Sequence, residues 1–409
     1  MRPMLVPVVI GLLTLALLML CHGDDSAPLK TRLSSPVTHS DWVLATNPAP
    51  AWGLKGVQQI LDRAKQCGWQ RVYWRCLDGG KACYASKLLE PFDCGEQENY
   101  WRDHGYTAII EKMTKCDYGS FDTFAAAVEY GHRIGIEVHA WLSINEDDHA
   151  YGWPSRFTRE HPQFRWVRRD GRRYRSQLSF AFPQVRAYKL ALLREILDYD
   201  PDGVFFDWIR TGDVRDNPQT FPDGVANHGY EQPNLRRFRR QYGVEAHSVP
   251  NSDERWIRLR AEPQTEFMQQ AHAVIRGHNP DIPISVMVQH PWSYRGAPDD
   301  TPYAGSLPGL LADVKTWARR GLIDECVAAG YYAPGGTPEK AWRWLTQETE
   351  GKVDVWLYGW IGSPDRFRSE VELAQKLGAP ELLLWESNYI GLPPAKSDTV
   401  QAMGEYAAR

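Results

Sequence analysis

Two carboxylic side chains, Asp207 and Glu386, stand directly after apolar segments and are the residues best placed to do chemistry. Asp207 ends the segment GVFFD, and Glu386 follows LLLW. A pair of carboxyl groups can cleave a glycosidic bond when one acts as nucleophile or general base and the other donates a proton to the leaving oxygen. Apolar neighbours should raise the pKa of Glu386, as a proton donor requires. The alternatives are an aspartate that caps the following loop and a glutamate that only binds hydroxyl groups.

Aromatic and polar residues are concentrated at the ends of other apolar segments. The chain has 17 Trp, 19 Tyr and 13 Phe, and such rings either fill a core or stack on a ligand. Their position at segment ends favours a ligand. Sugars fit because their C–H faces stack on rings while their hydroxyl groups bind amides and charged groups. We therefore predict a carbohydrate substrate, and the predicted substrate-binding residues are Trp74, Arg75, Trp141, Asn145, Trp208, Arg210, Gln289, His290, Trp292, Tyr331, Tyr332, Trp360, Trp385 and Asn388.

Other titratable residues are predicted to have different roles. The acidic residues 146–148 are alternatives to Glu386, although a charged run in a loop is usually solvated. Asp324 and Glu325 begin an apolar segment instead of ending one, so they are expected at the structural end of the fold. His139 lies inside a segment, where it should pack or form a hydrogen bond. No CxxC or HxxxH spacing occurs, so neither a zinc site nor a cofactor is predicted.

Eight short apolar segments, nearly continuous rather than alternating, are the candidates for the elements that position these residues. Such runs are typical of parallel strands buried on both faces, and amphipathic helical segments lie between them. Eight strands joined by helices predict an α/β fold of the (β/α)8 TIM-barrel type, which collects the strand ends at one opening. An open doubly wound sheet is the alternative, but NPAP at 47–50 replaces the Gly-rich turn that it would need. The predicted strands are 42–46, 71–75, 137–143, 203–207, 283–288, 323–328, 353–358 and 381–385.

Long loops are predicted after strands 2, 3 and 4, at residues 77–120, 144–182 and 211–234. They should rise from the carboxyl end of the barrel, where enzymes of this fold build their sites. The second loop contains an arginine-rich hairpin that turns at Asp170-Gly171. A solvated hairpin is the simpler interpretation, and contact with an anionic glycan is the alternative.

The predicted domain organisation is a signal peptide at 1–23, a polar linker at 24–40, a barrel at 41–392 and a C-terminal tail at 393–409. Arg2 precedes an apolar run, and Cys21 and Gly23 supply the small residues of a cleavage site. A lipid anchor on Cys21 and a single membrane anchor are the alternatives, but Leu20 is bulky where lipoprotein processing requires a small residue. We predict an exported protein with no other membrane contact, because no second apolar segment follows.

The net charge limits the classes of binding partner, and the cysteine content indicates the redox compartment. The formal net charge is −4, which argues against nucleic-acid binding. The chain has 7 cysteines, so an even number remains after the predicted signal peptide, which permits disulfides outside the cytoplasm. Cys83 and Cys94 share one predicted loop and form the preferred pair.

Three stretches resemble the bacterial glycosyl hydrolase-like family 10: GIEVHAW at 135–141, FPQVR at 182–186 and DGVFFD at 202–207. The resemblance extends over most of residues 42–390. It implies a barrel fold, an exported or lipid-anchored protein and hydrolysis of polysaccharides, in some members those of the bacterial envelope. It also implies an acid after the fourth strand, which Asp207 matches, whereas many members have a second acid where this chain has Trp208.

These patterns support three hypotheses. The first is an exported glycoside hydrolase that uses Asp207, with Glu386 as the acid. The second is a carbohydrate-binding barrel without catalysis, whose affinity depends on Trp141, Trp292 or Trp360. The third is an envelope scaffold protein that neither binds nor cleaves a glycan, and the aromatic residues at the strand ends disfavour it.

Overall fold

Eight parallel strands form a closed barrel in the computed structural model of the protein, as predicted. The structure describes residues 30–38, 40–43, 49–78, 80–92, 116–145, 155–207, 209, 223–293 and 301–409. Within these residues, sequential strands are neighbours all the way round the ring. The barrel strands are β1 Arg32–Val37, β2 Arg71–Asp78, β3 Glu137–Ser143, β4 Gly203–Asp207, β5 Ile284–Val288, β6 Glu325–Ala328, β7 Asp354–Trp360 and β8 Glu381–Trp385.

The ring closes through β1, which pairs with a strand on each side. Leu33 lies opposite Leu382 of β8, and Ser35 lies opposite Val72 of β2. Closure leaves no exposed edge in the ring and directs alternate side chains into the barrel interior.

The first strand corrects the sequence prediction, which placed it at 42–46 and assigned residues 24–40 to a linker. The strand is Arg32–Val37, and Trp42 lies in the short helix Ser40–Val43. The serines of RLSSPV made this segment look polar. Both are buried, however, and Ser35 donates to the Leu384 carbonyl at 2.8 Å. A hydroxyl group whose hydrogen bond is made by a neighbouring strand can be buried at little cost, which a hydrophobicity pattern does not detect.

Helices surround the barrel and bury the outer faces of the strands. Asp122 begins the second main helix by accepting hydrogen bonds from two backbone N–H groups, and Gly135, at a φ of 75°, ends it. The main helices are α1 Leu54–Gln66, α2 Thr123–Ile134, α3 Pro183–Leu197, α4 Gln232–Tyr242, α5 Glu254–His278, α6 Val314–Arg319, α7 Pro338–Glu348, α8 Pro364–Leu377 and α9 Ser397–Ala408. Shorter helical segments are Ser40–Val43, Arg156–Glu160, Pro162–Phe164, Ala246–Ser248, Ser306–Leu310 and Ser387–Tyr389.

Helix α9 corrects the prediction that residues 393–409 form a simple tail. Val400 and Met403 are buried, at the three-residue spacing of one helix face. The ring of Tyr406 packs against Phe367 of α8, with the centroids 6.0 Å apart. The C-terminal segment therefore belongs to the helical layer.

The arginine-rich hairpin forms where it was predicted, but it is anchored to the protein. Its antiparallel strands are Arg165–Val167 and Arg173–Leu178. Trp166 is fully buried, and the Arg169 guanidinium donates to the Tyr230 hydroxyl at 2.8 Å and to the His247 carbonyl at 2.7 Å. The interpretation as a solvated hairpin holds for Arg172 and Arg173, which are exposed, but not for Trp166 and Arg169, because packing and hydrogen bonds hold them.

A buried charge network closes the amino-terminal end of the barrel. Arg71 Nη1 lies 3.1 Å from Glu325 Oε2 and 3.2 Å from Glu381 Oε2. Arg71 Nε donates to Glu137 at 2.8 Å, and the Tyr73 hydroxyl donates to Glu381 at 2.5 Å. Each carboxyl group in this network has a partner, as buried charges require.

The remaining titratable groups at this end have the structural roles that were predicted. Asp324 pairs with Arg276 at 2.6 Å, and Glu325 lies in the charge network. His139 is fully buried, with Nε2 3.4 Å from Glu137 Oε2. Burial lowers the pKa of His139 to about 3, so this ring is neutral at physiological pH.

Candidate active site at the carboxyl end of the barrel

Asp207 is the last residue of β4 and lies at the top of the barrel interior. Its side chain is only 4% exposed. The Trp141 indole N–H of the neighbouring strand donates to Asp207 Oδ2 at 3.1 Å. Trp141 in turn packs edge-on against Trp385, with the ring centroids 5.2 Å apart. The candidate nucleophile or base is therefore oriented by a rigid aromatic donor.

Arg75 supports this arrangement from the side. Its guanidinium lies 4.4 Å from the centroid of the Trp141 ring, a cation–π contact. It also donates to Asp78 Oδ1 at 3.0 Å and to Ser143 Oγ at 2.7 Å. These contacts place Arg75 beside the predicted site, with its donors directed to protein groups.

A wall of aromatic rings continues from Trp385 around the opening. Tyr358 stacks on Trp385 with the centroids 5.5 Å apart, and Trp360 meets Tyr358 edge-on at 5.5 Å. Trp360 also contacts Tyr331 at 5.6 Å. Tyr331, Trp360 and Trp385 are each partly exposed, which leaves part of each ring accessible to a ligand.

Tyr358 is the residue that sequence analysis missed. It is 3% exposed, and its hydroxyl has no hydrogen-bond partner within the described part of the chain. Burial raises the pKa of Tyr358 well above its ordinary value, and Tyr331, Glu386, Tyr332 and Asp207 add to the increase. This hydroxyl therefore lies within electrostatic reach of both candidate catalytic carboxyl groups and remains protonated.

Glu386 stands directly after β8 and is partly exposed. The peptide bond that joins it to Trp385 is cis. The next residue, Ser387, donates its hydroxyl to the Asp41 carboxylate at 2.7 Å. Burial raises the pKa of Asp41 to about 7. This hydrogen bond ties the turn that carries Glu386 to the segment that follows β1.

Three amide side chains were predicted to bind substrate, and all are buried at the ends of strands. Gln289 follows β5 and is 8% exposed, Asn388 follows β8 and is 6% exposed, and Asn145 follows β3 and is 1% exposed. Gln289 Oε1 and Asn388 Oδ1 have no hydrogen-bond partner among the residues that the structure describes. Both oxygens are shielded from solvent, so a ligand would reach them only after a local rearrangement of the opening.

His290 is bound within the protein instead of facing the opening. Its Nε2 lies 2.8 Å from the Ala329 carbonyl, and its Nδ1 accepts from the Trp292 backbone N–H at 3.2 Å. Burial lowers its pKa to about 4, so the ring is neutral. Tyr332 stacks on it at 5.1 Å. His290 therefore positions Trp292 and Tyr332, which are both partly exposed.

Trp74 does not line the opening, which corrects its predicted role. It is 2% exposed, and its indole N–H donates to Thr123 Oγ1 of α2 at 3.2 Å. It faces the helical layer because neighbouring residues of a strand point to opposite sides of the sheet, and Tyr73 points inward. Trp208, Arg210 and the acidic residues 146–148 lie outside the described residues.

The described residues contain no group of three or more metal-ligating side chains. Five cysteines, all buried, fall in the described ranges, and no disulfide joins any two of them: Cys67, Cys76, Cys83, Cys116 and Cys326. The predicted partner of Cys83, Cys94, lies outside those ranges. No helix in the part of the chain that the structure covers is long and apolar enough to cross a membrane.

The closed ring of eight parallel strands within a layer of helices is a (β/α)8 TIM barrel. Residues 58–355 match the model of the family described as glycosyl hydrolase-like 10, and the chain belongs to this family. It is 23% identical over 345 residues to glycosyl hydrolase YngK of Bacillus subtilis (strain 168). The match covers 81% of this chain and 59% of that protein, so the chain spans little more than half of its relative.

Solved glycosidase structures share the fold. The catalytic domain of β-amylase from Paenibacillus polymyxa aligns with a TM-score of 0.58 and 11% identity, covering 93% of this chain and 100% of that one. A β-galactosidase from the psychrophilic Marinomonas ef1 aligns with a TM-score of 0.53 and 11% identity, covering 92% and 59%. At this identity the likeness concerns the fold alone.

Proposed function

We propose that the protein hydrolyses O-glycosidic bonds of an oligosaccharide or polysaccharide, with Asp207 and Glu386 as the catalytic carboxyl groups. The observation that carries the proposal is Asp207, buried at the top of the barrel, where its carboxylate accepts from the Trp141 indole N–H at 3.1 Å beside the partly exposed ring of Trp385. Partly exposed rings at this opening supply faces on which a sugar can stack.

The chemistry assigns different roles to the two carboxyl groups. Glu386 donates its proton to the glycosidic oxygen as the bond to the anomeric carbon breaks. Asp207 either attacks that carbon or takes a proton from the water that does so, and the N–H of Trp141 fixes its orientation. In both cases one water molecule is consumed for each bond that is cleaved. The rings of Trp360 and Trp385 stack on the sugar.

Export is a further part of this proposal. It is supported by the basic start, apolar run and small residues of segment 1–23, and by the exported members of the family that the chain resembles. Mass spectrometry of the protein recovered from expressing cells tests it, because cleavage before Asp24 gives a defined new N-terminus. A mature chain that retains Met1 would contradict export by this route.

The Asp207→Asn variant tests the catalytic proposal. Release of 4-methylumbelliferone is measured from a panel of glucose, galactose, fucose and N-acetylglucosamine glycosides in both anomeric forms. The Asn oxygen still accepts from Trp141, so the fold should persist while turnover falls at least about 100-fold. Asp365→Asn is the matched control, because Asp365 is exposed on α8 and pairs only with Arg368 in the described structure. Equal turnover of Asp207→Asn and wild type would overturn the assignment.

A carbohydrate-binding barrel without catalysis is the second candidate. It is favoured by the end of β5, where Gln289 and His290 follow the strand and neither carries a carboxyl group. It predicts affinity for a glycan that depends on Trp360, with no product after long incubation. The same panel, combined with a binding measurement, distinguishes the two candidates.

A further inference from the structure

The turn that carries Glu386 is joined to the segment after β1, across the line where the barrel ring closes. Strands β1 and β8 are paired along this line. Ser387, the residue after Glu386, is 6% exposed, and its hydroxyl oxygen lies 2.7 Å from both carboxylate oxygens of Asp41. Asp41 belongs to the short helix Ser40–Val43, which follows β1. One side-chain contact therefore connects the two loops at this closure.

Asp41 is itself held in one position. Its Oδ2 accepts from the Thr38 backbone N–H at 3.0 Å, and its own N–H donates to the Thr38 carbonyl at 3.0 Å. The side chain is 4% exposed, and none of the described residues forms an ion pair with it. A carboxyl group buried without a cation costs stability, and such exceptions to the usual rules of folding are expected at functional sites.

The backbone is attached on both sides of Glu386. The Trp385 carbonyl accepts from the Ile361 N–H, after β7, at 3.0 Å, and the Glu386 carbonyl accepts from the Tyr389 N–H at 3.1 Å. The contact between Ser387 and Asp41 adds the attachment on the side of β1. A carboxyl group that donates a proton must be held within about 0.5 Å of its productive position, so these attachments bear directly on its chemistry.

We infer that Asp41 is a positioning residue for Glu386: by holding the Ser387 hydroxyl across the closure between β1 and β8, it fixes the turn that carries Glu386. The inference rests on the proposed function, since it takes Glu386 as the proton donor. Asp41 and Ser387 act through Glu386 and are assigned no contact with the sugar. Loss of their contact should impair proton donation and spare Asp207, which is held from β3 by Trp141.

The leaving group of the substrate distinguishes a misplaced proton donor from a general loss of structure. A 2,4-dinitrophenolate departs without protonation, whereas the sugar that leaves a disaccharide must be protonated. For each variant, kcat/KM is measured on the 2,4-dinitrophenyl glycoside and on a disaccharide of the sugar that the fluorogenic panel identifies. The ratio of the two values does not depend on the fraction of folded enzyme, so a destabilised variant remains informative.

The loss should be confined to the disaccharide. Ser387→Ala and Asp41→Ala should lose about tenfold on the disaccharide and less than about twofold on the dinitrophenyl glycoside, because a displacement of about 1 Å impairs proton transfer. Asp41→Asn keeps an oxygen that accepts from Ser387 and should restore the ratio of wild type. Ser285→Ala is the matched control, because Ser285 donates to the buried Glu325 carboxylate at 2.7 Å at the opposite end of the barrel. Its relative change should be the same on both substrates.

Crystal structures of wild type, Ser387→Ala, Asp41→Ala and Ser285→Ala supply a readout that needs no turnover. The Cα atom of Glu386 should move by about 1 Å in the first two variants and stay in place in Ser285→Ala. The same relative change of kcat/KM on both substrates in Ser387→Ala, or a Glu386 turn that does not move, would overturn the positioning role.

Glu386→Gln separates this inference from the proposed function. It should lose at least about 100-fold on the disaccharide and much less on the dinitrophenyl glycoside. If the turn moves in Asp41→Ala but Glu386→Gln loses equally on both substrates, or wild type cleaves no glycoside, Asp41 still positions Glu386 and the proposed hydrolysis through Glu386 fails.

Discussion

The charge network at the amino-terminal end of the barrel interior and three polar side chains at its carboxyl end contrast in how they are satisfied. At the amino-terminal end, Arg71 joins three glutamates, and Tyr73 donates to Glu381 at 2.5 Å. At the carboxyl end, the hydroxyl of Tyr358 and the oxygens of Gln289 and Asn388 lack partners among the described residues. The two ends are built on the same strands: Glu381 of the charge network begins β8, and Trp385 of the aromatic wall ends it.

The contrast indicates that polar residues at the amino-terminal end of the barrel serve stability, whereas those at the carboxyl end serve function. Buried polar groups that all have hydrogen-bond or charge partners stabilise a unique fold. Removing one member leaves the others buried without a partner, and their desolvation is then no longer compensated. Buried polar groups without partners cost stability, and a ligand that supplies the partners recovers that cost as binding free energy. Substitutions at the amino-terminal end should therefore change the free energy of unfolding, whereas those at the carboxyl end should change binding and turnover.

The largest effect on stability is expected for Arg71→Met. The change leaves Glu325 and Glu381 buried beside each other without a cation, and the free energy of unfolding should fall by about 3–5 kcal/mol. Urea denaturation followed by tryptophan fluorescence measures the change. Arg32→Met is the control, because Arg32 is a half-exposed partner of Glu137 and its loss should cost no more than about 1 kcal/mol. Similar losses for both variants would show that the buried network does not stabilise the fold.

How far the sequence predicts these two ends depends on the residue. The positions of Asp207 and Glu386 at strand ends were predictable because a carboxyl group directly after an apolar run can be recognised from the sequence alone. Trp74 was misassigned and Tyr358 missed for one shared reason: the direction of a strand side chain depends on register. Once Trp360 is assigned to the interior, the alternation of residues in β7 directs Tyr358 inward as well, so that signal was present in the sequence.

The first strand shows a different limit. Its serines are buried because Ser34 donates to Glu381 at 2.5 Å and Ser35 donates to the Leu384 carbonyl at 2.8 Å. These partners lie almost the whole chain length away, so no local pattern contains them. A polar segment that closes a barrel becomes recognisable only after the opposite edge of the sheet is known.

A matched pair of Tyr→Phe variants tests the comparison by removing one hydroxyl oxygen at each end of the barrel. Tyr73→Phe removes a donor to a buried carboxylate and should lower the free energy of unfolding by about 1.5–3 kcal/mol. Tyr358→Phe removes a hydroxyl without a partner in the described structure and should leave stability unchanged or raise it by up to about 1 kcal/mol. Urea midpoints of the two variants, measured together with wild type, supply both values.

Glycan binding should depend instead on the rings of the opening. Trp360→Ala should weaken binding of the glycan that wild type binds about fivefold, because the sugar loses a stacking ring. Tyr73→Phe should bind like wild type wherever it is folded. A loss of stability in Tyr358→Phe equal to that in Tyr73→Phe would contradict the division between the two ends.

The smallest expected effect is the pH dependence of the free energy of unfolding, which tests the charge network at the amino-terminal end. Burial raises the pKa of Glu325 to about 7, despite the opposing effect of Arg71, and the nearby Glu381 adds to the increase. A carboxyl group whose pKa is higher in the folded than in the unfolded state binds protons more tightly when folded, so its contribution to stability falls as pH rises from about 4.5 to about 7. We expect a change of at least about 1 kcal/mol across this window. Glu325→Gln should flatten this part of the profile of urea midpoint against pH. Asp365→Asn, the control, should leave the profile as in wild type. If Glu325→Gln and wild type have the same slope, the pH dependence arises from other groups.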